Sequence, residues 1–104
     1  MSHGIQLWDK DLKLLKYNKY IKEKNNSFGI KTEVGMTWEE SVESQIENNF
    51  YNIPDDETKQ SWAKKAVRYF QEFKGENTTT YSLSDGSYTM VSEKRLDNGN
   101  ILQI

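Results

Sequence analysis

The residues of this chain best suited to acid–base chemistry are three groups of carboxylates: Glu39-Glu40, Asp55-Asp56-Glu57 and Glu93. Such groups act as general acid and base when their environments hold them at different pKa values. The first two groups, however, sit at predicted helix starts, where the backbone dipole favours negative charge without any catalytic role. Composition excludes the nucleophilic alternatives. There is no Cys, and the single His, His3, lies in a Met1-Ser2-His3-Gly4 opening of the kind that vector-derived residues leave. Disulfides, thiolate catalysis and Cys-based metal sites are therefore ruled out, and no Gly-rich loop is present to cradle a phosphate. The expectation is a domain without enzyme activity.

At 104 residues the chain is long enough for one core and one domain. With 35% hydrophobic and 29% charged residues, that core must lean on its three Trp, six Tyr and four Phe. A formal net charge of −2 gives no general attraction for nucleic acid or an anionic membrane. Seven lysines fall between Lys10 and Lys31, but Asp9, Asp11 and Glu23 dilute them, and a solvated face accounts for the run. No apolar stretch approaches the ~20 residues of a membrane span, and no signal-peptide pattern is present. A cytoplasmic domain is expected.

The C-terminal quarter supplies the clearest structural signal. Thr78–Leu83, Tyr88–Leu96 and Ile101–Ile104 are β-branched, aromatic or apolar runs, separated by Ser84-Asp85-Gly86-Ser87 and Asp97-Asn98-Gly99-Asn100. Asp-Gly and Asn-Gly favour tight hairpin turns, so a three-stranded antiparallel meander is predicted. Tyr81 and Leu83, Tyr88, Met90 and Ser92, and Ile101 lie on alternate-residue tracks, and one face of this sheet needs an apolar cover. At the other end, Ile5–Trp8 and Leu12–Asn18 flank Asp9-Lys10-Asp11 and read most simply as two strands, with Leu12, Leu14 and Lys16 on one face. Leu12, Leu15 and Lys16 also fit a helical period. Between these ends, a short helix is predicted from Lys19 to Asn25-Asn26, with Ser27–Ile30 as a turn. Thr37 and Glu40 form a capping-box pattern ahead of a stripe of Trp38, Val42, Ile46 and Phe50. A third helix, capped by Asp55 or Asp56, runs from Glu57 to about Phe73, with Gly75 placed just beyond its end.

The resulting order, two strands, three helices and three strands, resembles that of PAS domains over essentially the full chain. The closest likeness is the run Asp85–Arg95 (DGSYTMVSEKR) followed by Asp97-Asn98-Gly99-Asn100-Ile101. It is similar to a bacterial sensory subgroup that carries Trp where Tyr88 stands and often Arg where Ser87 stands. Leu7-Trp8-Asp9, Leu14 to Asn18, and Gly35–Glu40 resemble other stretches of that pattern. The resemblance implies an α+β fold, a five-stranded antiparallel sheet with helices over one face. It also implies that the chain is a fragment, ending near the close of its last strand, of a longer signalling protein. That parent would carry an output module such as a histidine kinase or diguanylate cyclase, in either a soluble or a membrane-attached protein.

In PAS domains small molecules lie between the sheet and the helices. By that resemblance Trp38, Val42, Ile46, Trp62, Tyr69, Tyr81, Tyr88 and Met90 border a cavity, unless they simply fill it. Arg95 either orients a polar ligand or stands exposed on its strand, and the alternation of Ser92-Glu93-Lys94-Arg95 fits an exposed sheet face. Cofactors that need a Cys, the flavin adduct and the cinnamoyl chromophore, are excluded. The long helix also lacks the His by which haem-binding PAS domains hold their iron. A non-covalent small ligand, flavin included, remains open. The expected function is sensory or regulatory, and the rival is a ligand-free module that forms homodimers through its sheet or flanking segments. Neither reading involves nucleic acid or membrane contact.

Overall fold

Asp9 builds the first turn of the chain. Its Oδ1 accepts hydrogen bonds from the backbone N–H groups of Asp11 and Lys13, both at 2.9 Å, and Leu12 takes a positive φ of 61°. This folds β1 (Gln6–Trp8) against β2 (Leu14–Tyr17). The structure, a computed structural model, describes residues 3–104, so Met1 and Ser2 of the opening tetrapeptide lie outside the described residues. Leu14 is buried as expected, but Leu12 packs on the core from the turn, and Lys16 is exposed. The left-handed residue at Leu12 breaks the simple alternation that had put all three on one face.

Three helices follow: α1 (Lys19–Phe28), α2 (Trp38–Glu47) and α3 (Lys59–Glu72). Asn18 caps α1 by accepting from the Ile21 N–H, and Gly29, in the left-handed region, ends it two residues later than predicted. Thr37 caps α2 as its capping box anticipated, accepting from the Glu40 N–H at 3.1 Å. For α3 the cap is Thr58, which accepts from the Ser61 N–H. Asp55 and Asp56 are instead held in a turn closed by the Glu57 N–H on the Pro54 carbonyl.

The chain closes with β3 (Glu76–Ser82), β4 (Tyr88–Arg95) and β5 (Ile101–Gln103), joined by the Asp-Gly and Asn-Gly turns. Gly86 and Gly99 take φ of 88° and 90°, the conformation for which those turns require glycine. All pairings are antiparallel and the sheet order is β2-β1-β5-β4-β3. The fold is thus α+β, a five-stranded antiparallel sheet with three helices.

The core is aromatic. Phe70 of α3 is fully buried, stacked on Trp38 at 4.0 Å between centroids and edge-on to Trp8 at 5.8 Å. Leu14, Met36, Val42, Ile46 and Ile101 complete the cluster, and Ile30, Phe50 and Leu83 form a second one.

Two residues of β4 depart from the expected exposed face. Register pairs Tyr81 with Thr89 and Asn77 with Glu93, so Glu93 and Arg95 share the helix-facing side with Tyr81. Arg95 does not stand free on its strand, because the end of α3 takes up its guanidinium. Its Nε donates to the Phe73 carbonyl at 2.9 Å and its Nη2 to the Phe70 carbonyl at 2.8 Å, while the guanidinium lies 4.9 Å from the Phe73 ring centre. It thereby satisfies carbonyls that the end of α3 leaves without helical partners. Arg95→Ala should cost at least about 1 kcal/mol of stability in denaturant unfolding. Arg95→Lys should not restore it, since one ammonium cannot reproduce the planar fork. Full rescue by lysine would show that charge alone matters there.

Candidate functional site

A cavity of about 380 Å³ lies between the inner face of the sheet and α1, with its far wall formed by α2 and the Phe50-Tyr51 segment. The sheet contributes Gln6, Tyr81, Thr89, Val91 and Gln103, α1 contributes Tyr20, Ile21, Lys24 and Asn25, and α2 contributes Trp38 and Gln45. The wall is therefore mixed, aromatic and aliphatic surface with a few directed polar groups, as small-molecule sites usually are. Of the α1 residues only Asn25 is buried, so this helix covers the space more than it packs into it. Gly4 passes close beneath it, where a Cβ would overlap the Ile21 side chain.

The polar groups are positioned by their own hydrogen bonds. Trp8 Nε1 donates to Gln6 Oε1 at 3.2 Å and to Gln103 Oε1 at 3.3 Å, tying both amides to the sheet. The Tyr51 hydroxyl donates to Gln45 Oε1 at 2.7 Å, and Lys24 Nζ crosses from α1 to Thr89 Oγ1 at 3.3 Å. Burial pushes the Tyr81 hydroxyl up to about 12 and the Tyr51 hydroxyl higher still, with nearby Glu93 adding to both, so each keeps its proton at physiological pH. Burial lowers the Lys24 pKa, a shift that Asp85 opposes.

Next to the cavity, Gln103 Nε2 donates to Glu93 Oε2 at 3.2 Å. Glu93 is only 3% exposed, and its Oε1 has no hydrogen-bond partner. Burial pushes this carboxyl above its usual range, against the opposing effect of the neighbouring Tyr69 hydroxyl and the Gln103 amide.

Of the residues expected to border a cavity, Trp38, Tyr81 and Met90 contribute to its lining. Trp38 is also anchored to α3, its Nε1 donating to the Ala66 carbonyl at 3.1 Å. Val42 and Ile46 are core residues, and the half-buried Trp62 leans on Tyr51 at 5.6 Å between rings. Tyr69 stacks on Phe73 and accepts from Asn77 Nδ2. Tyr88 and Met90 are 74% and 68% exposed. The strand's alternation directs them, with Ser92, to the outer face, because Thr89 and Val91 occupy the inner register.

Sequence reasoning missed Lys24, Asn25, Gln6, Gln45, Thr89 and Gln103. One signal was available: Tyr20, Ile21, Lys24 and Asn25 recur at helical spacing and so share a face. The glutamines carried no such pattern, because Gln6 and Gln103 depend on Trp8 lying between them and Gln45 depends on the Tyr51 hydroxyl.

Among the described residues no group of three or more His, Cys, Asp or Glu is arranged to hold a metal ion. Among the same residues no helix is long and apolar enough to cross a membrane. No protein-family model matches the chain, and no curated protein matches it.

Proposed function

We propose that this chain is a PAS-like sensory or regulatory domain that binds a small molecule between its sheet and α1. The observation that carries the reading is the 380 Å³ cavity, whose wall combines Trp38, Phe50, Tyr51 and Tyr81 with directed amides and one lysine. The element order, two strands, three helices, three strands, agrees with the family that the Asp85–Arg95 run resembles. Its task is binding and relay, not catalysis. A ligand acts by favouring one packing of α1 against the sheet over another, and it shifts that balance only by its difference in affinity for the two. Gln103 and Ile104 line the cavity, so occupancy is felt directly at β5. In this reading β5 passes the change to an output module, a kinase or cyclase, of a cytoplasmic bacterial signalling protein.

Mass spectrometry of the freshly purified domain, native and then denatured, tests this directly. A small molecule released only on denaturation supports the reading. A bare polypeptide mass, together with no thermal stabilisation by any of a broad set of metabolites, would count against it.

A second reading, a homodimerisation module, is favoured by the exposed Tyr88 and Met90 on the outer sheet face. Under it, Tyr88→Ser, at a residue outside the cavity lining, turns dimers into monomers by light scattering and leaves the cavity intact. Dimers that persist through that change would exclude this face as the contact.

A further inference from the structure

The amide oxygens of the three glutamines around the cavity are in use, whereas some donors are left over. Trp8 occupies Gln6 Oε1 and Gln103 Oε1, Tyr51 occupies Gln45 Oε1, and the Gln103 amide N–H is turned towards Glu93. Among the described residues, the Gln6 Nε2 group and the Tyr81 hydroxyl make no hydrogen bond to the protein as donors, and Lys24 Nζ donates only to Thr89. Among the same residues Lys24 forms no ion pair within 4.0 Å, and no carboxylate side chain lines the cavity with it. Asp85, the acid closest in influence, is engaged by the Ser87 backbone and hydroxyl. The cavity wall thus offers a partly buried cation and spare donors, with the Phe50 ring 5.9 Å from the ammonium.

A partly desolvated ammonium with no carboxylate within 4.0 Å is costly, and a bound anion removes that cost. A ligand bearing donors would instead meet donors. We infer that the cavity receives a small organic monocarboxylate with an apolar body. Its carboxylate lies on Lys24, with the Gln6 amide and Tyr81 hydroxyl as further donors, and its body lies against Ile21, Phe50 and Val91. The volume suits a compact molecule, at the lower end of the ~300–1,000 Å³ typical of small-molecule sites. This inference rests on the cavity being a ligand site, and it names the chemistry of the ligand.

The test uses matched probes: hexanoate, phenylacetate and indole-3-acetate, each against its neutral amide and the amine of the same body. Binding is followed by thermal shift and calorimetry up to about 10 mM, where even weak millimolar affinities register. The expected result is that at least one carboxylate stabilises the domain while its amide and amine do not. Lys24→Met, which keeps most of the apolar stem, should lower that affinity at least about tenfold. Lys24→Arg should retain most of it, with circular dichroism checking that both variants fold. An amide or amine that binds as well as the acid, or an undiminished Lys24→Met, overturns the charge assignment and leaves the cavity reading standing. No binding by any probe of any charge overturns the inference, and the mass-spectrometric result then decides separately whether the cavity holds another class of ligand.

Discussion

Phe70→Ala should cost about 3–5 kcal/mol of folding free energy, the largest loss expected from any single truncation in this chain. Phe70 is fully buried, stacks on Trp38, meets Trp8 edge-on and lies 6.0 Å from the Phe73 ring. Removing it leaves a void bounded by two tryptophans whose indole N–H groups are already committed, Trp8 to Gln6 and Gln103 and Trp38 to the Ala66 carbonyl. Those bonds resist the rotation that would let either ring collapse into the space. Against a total stability of about 5–15 kcal/mol for a domain of this kind, the loss removes a large share of the folded margin. Denaturant unfolding followed by tryptophan fluorescence measures it, with the exposed Tyr88→Ser as a control expected within about 0.5 kcal/mol of wild type. A loss below about 1 kcal/mol for Phe70→Ala would mean that the aromatic cluster is not the core.

Glu93→Gln should act in the opposite direction and stabilise the domain at neutral pH by about 1–3 kcal/mol. The carboxylate is buried with one oxygen unpartnered, and burial holds its pKa above the ordinary 4.5. Because the raised value belongs to the folded state, the folded chain keeps a proton that the unfolded chain has released. Stability therefore falls as pH rises from about the ordinary value through the folded pKa, and the full penalty is present above it. The amide carries no charge at any of these pH values and still accepts from Gln103. Its advantage should shrink as pH is lowered towards 4.5 and vanish below it. Thermal unfolding of both proteins across that range reads out the difference. A variant less stable than wild type at neutral pH would show that the charge on Glu93 is satisfied by a partner in solution.

The parts of the fold that were legible are those encoded by local rules. Asp85-Gly86 and Asn98-Gly99 specified their turns because few residues other than glycine adopt the required positive φ. Thr37 announced α2 because its hydroxyl and Glu40 sit at capping-box spacing. The end of α1 was misplaced because Ser27 and Phe28 are helical and the left-handed Gly29 is what stops it. The α3 cap passed from Asp55 or Asp56 to Thr58 because both acids are held in the turn after Pro54.

The cavity was legible only in part, and β4 shows why. Its sequence, Tyr-Thr-Met-Val-Ser-Glu-Lys-Arg, divides its apolar residues between the two alternating tracks, so hydrophobicity alone does not choose the inner face. The choice is made by the register with β3, which sets Thr89 opposite Tyr81, and by α3, whose terminal carbonyls draw Arg95 inward. Tyr88 and Met90 are left outside as a result.

By itself the sequence determined the element order, the turns, the aromatic character of the core and the exclusion of cysteine chemistry. Each of these depends on residues near one another in the chain or on composition alone. Only the tertiary structure decided that Trp8 bridges Gln6 to Gln103, that Lys24 reaches Thr89, and that Glu93 is buried. Trp8 and Gln103 are 95 positions apart and Lys24 and Thr89 are 65 apart. The physical reason is that a polar side chain has no preferred partner until the sheet register and the helix above it bring one within hydrogen-bonding distance.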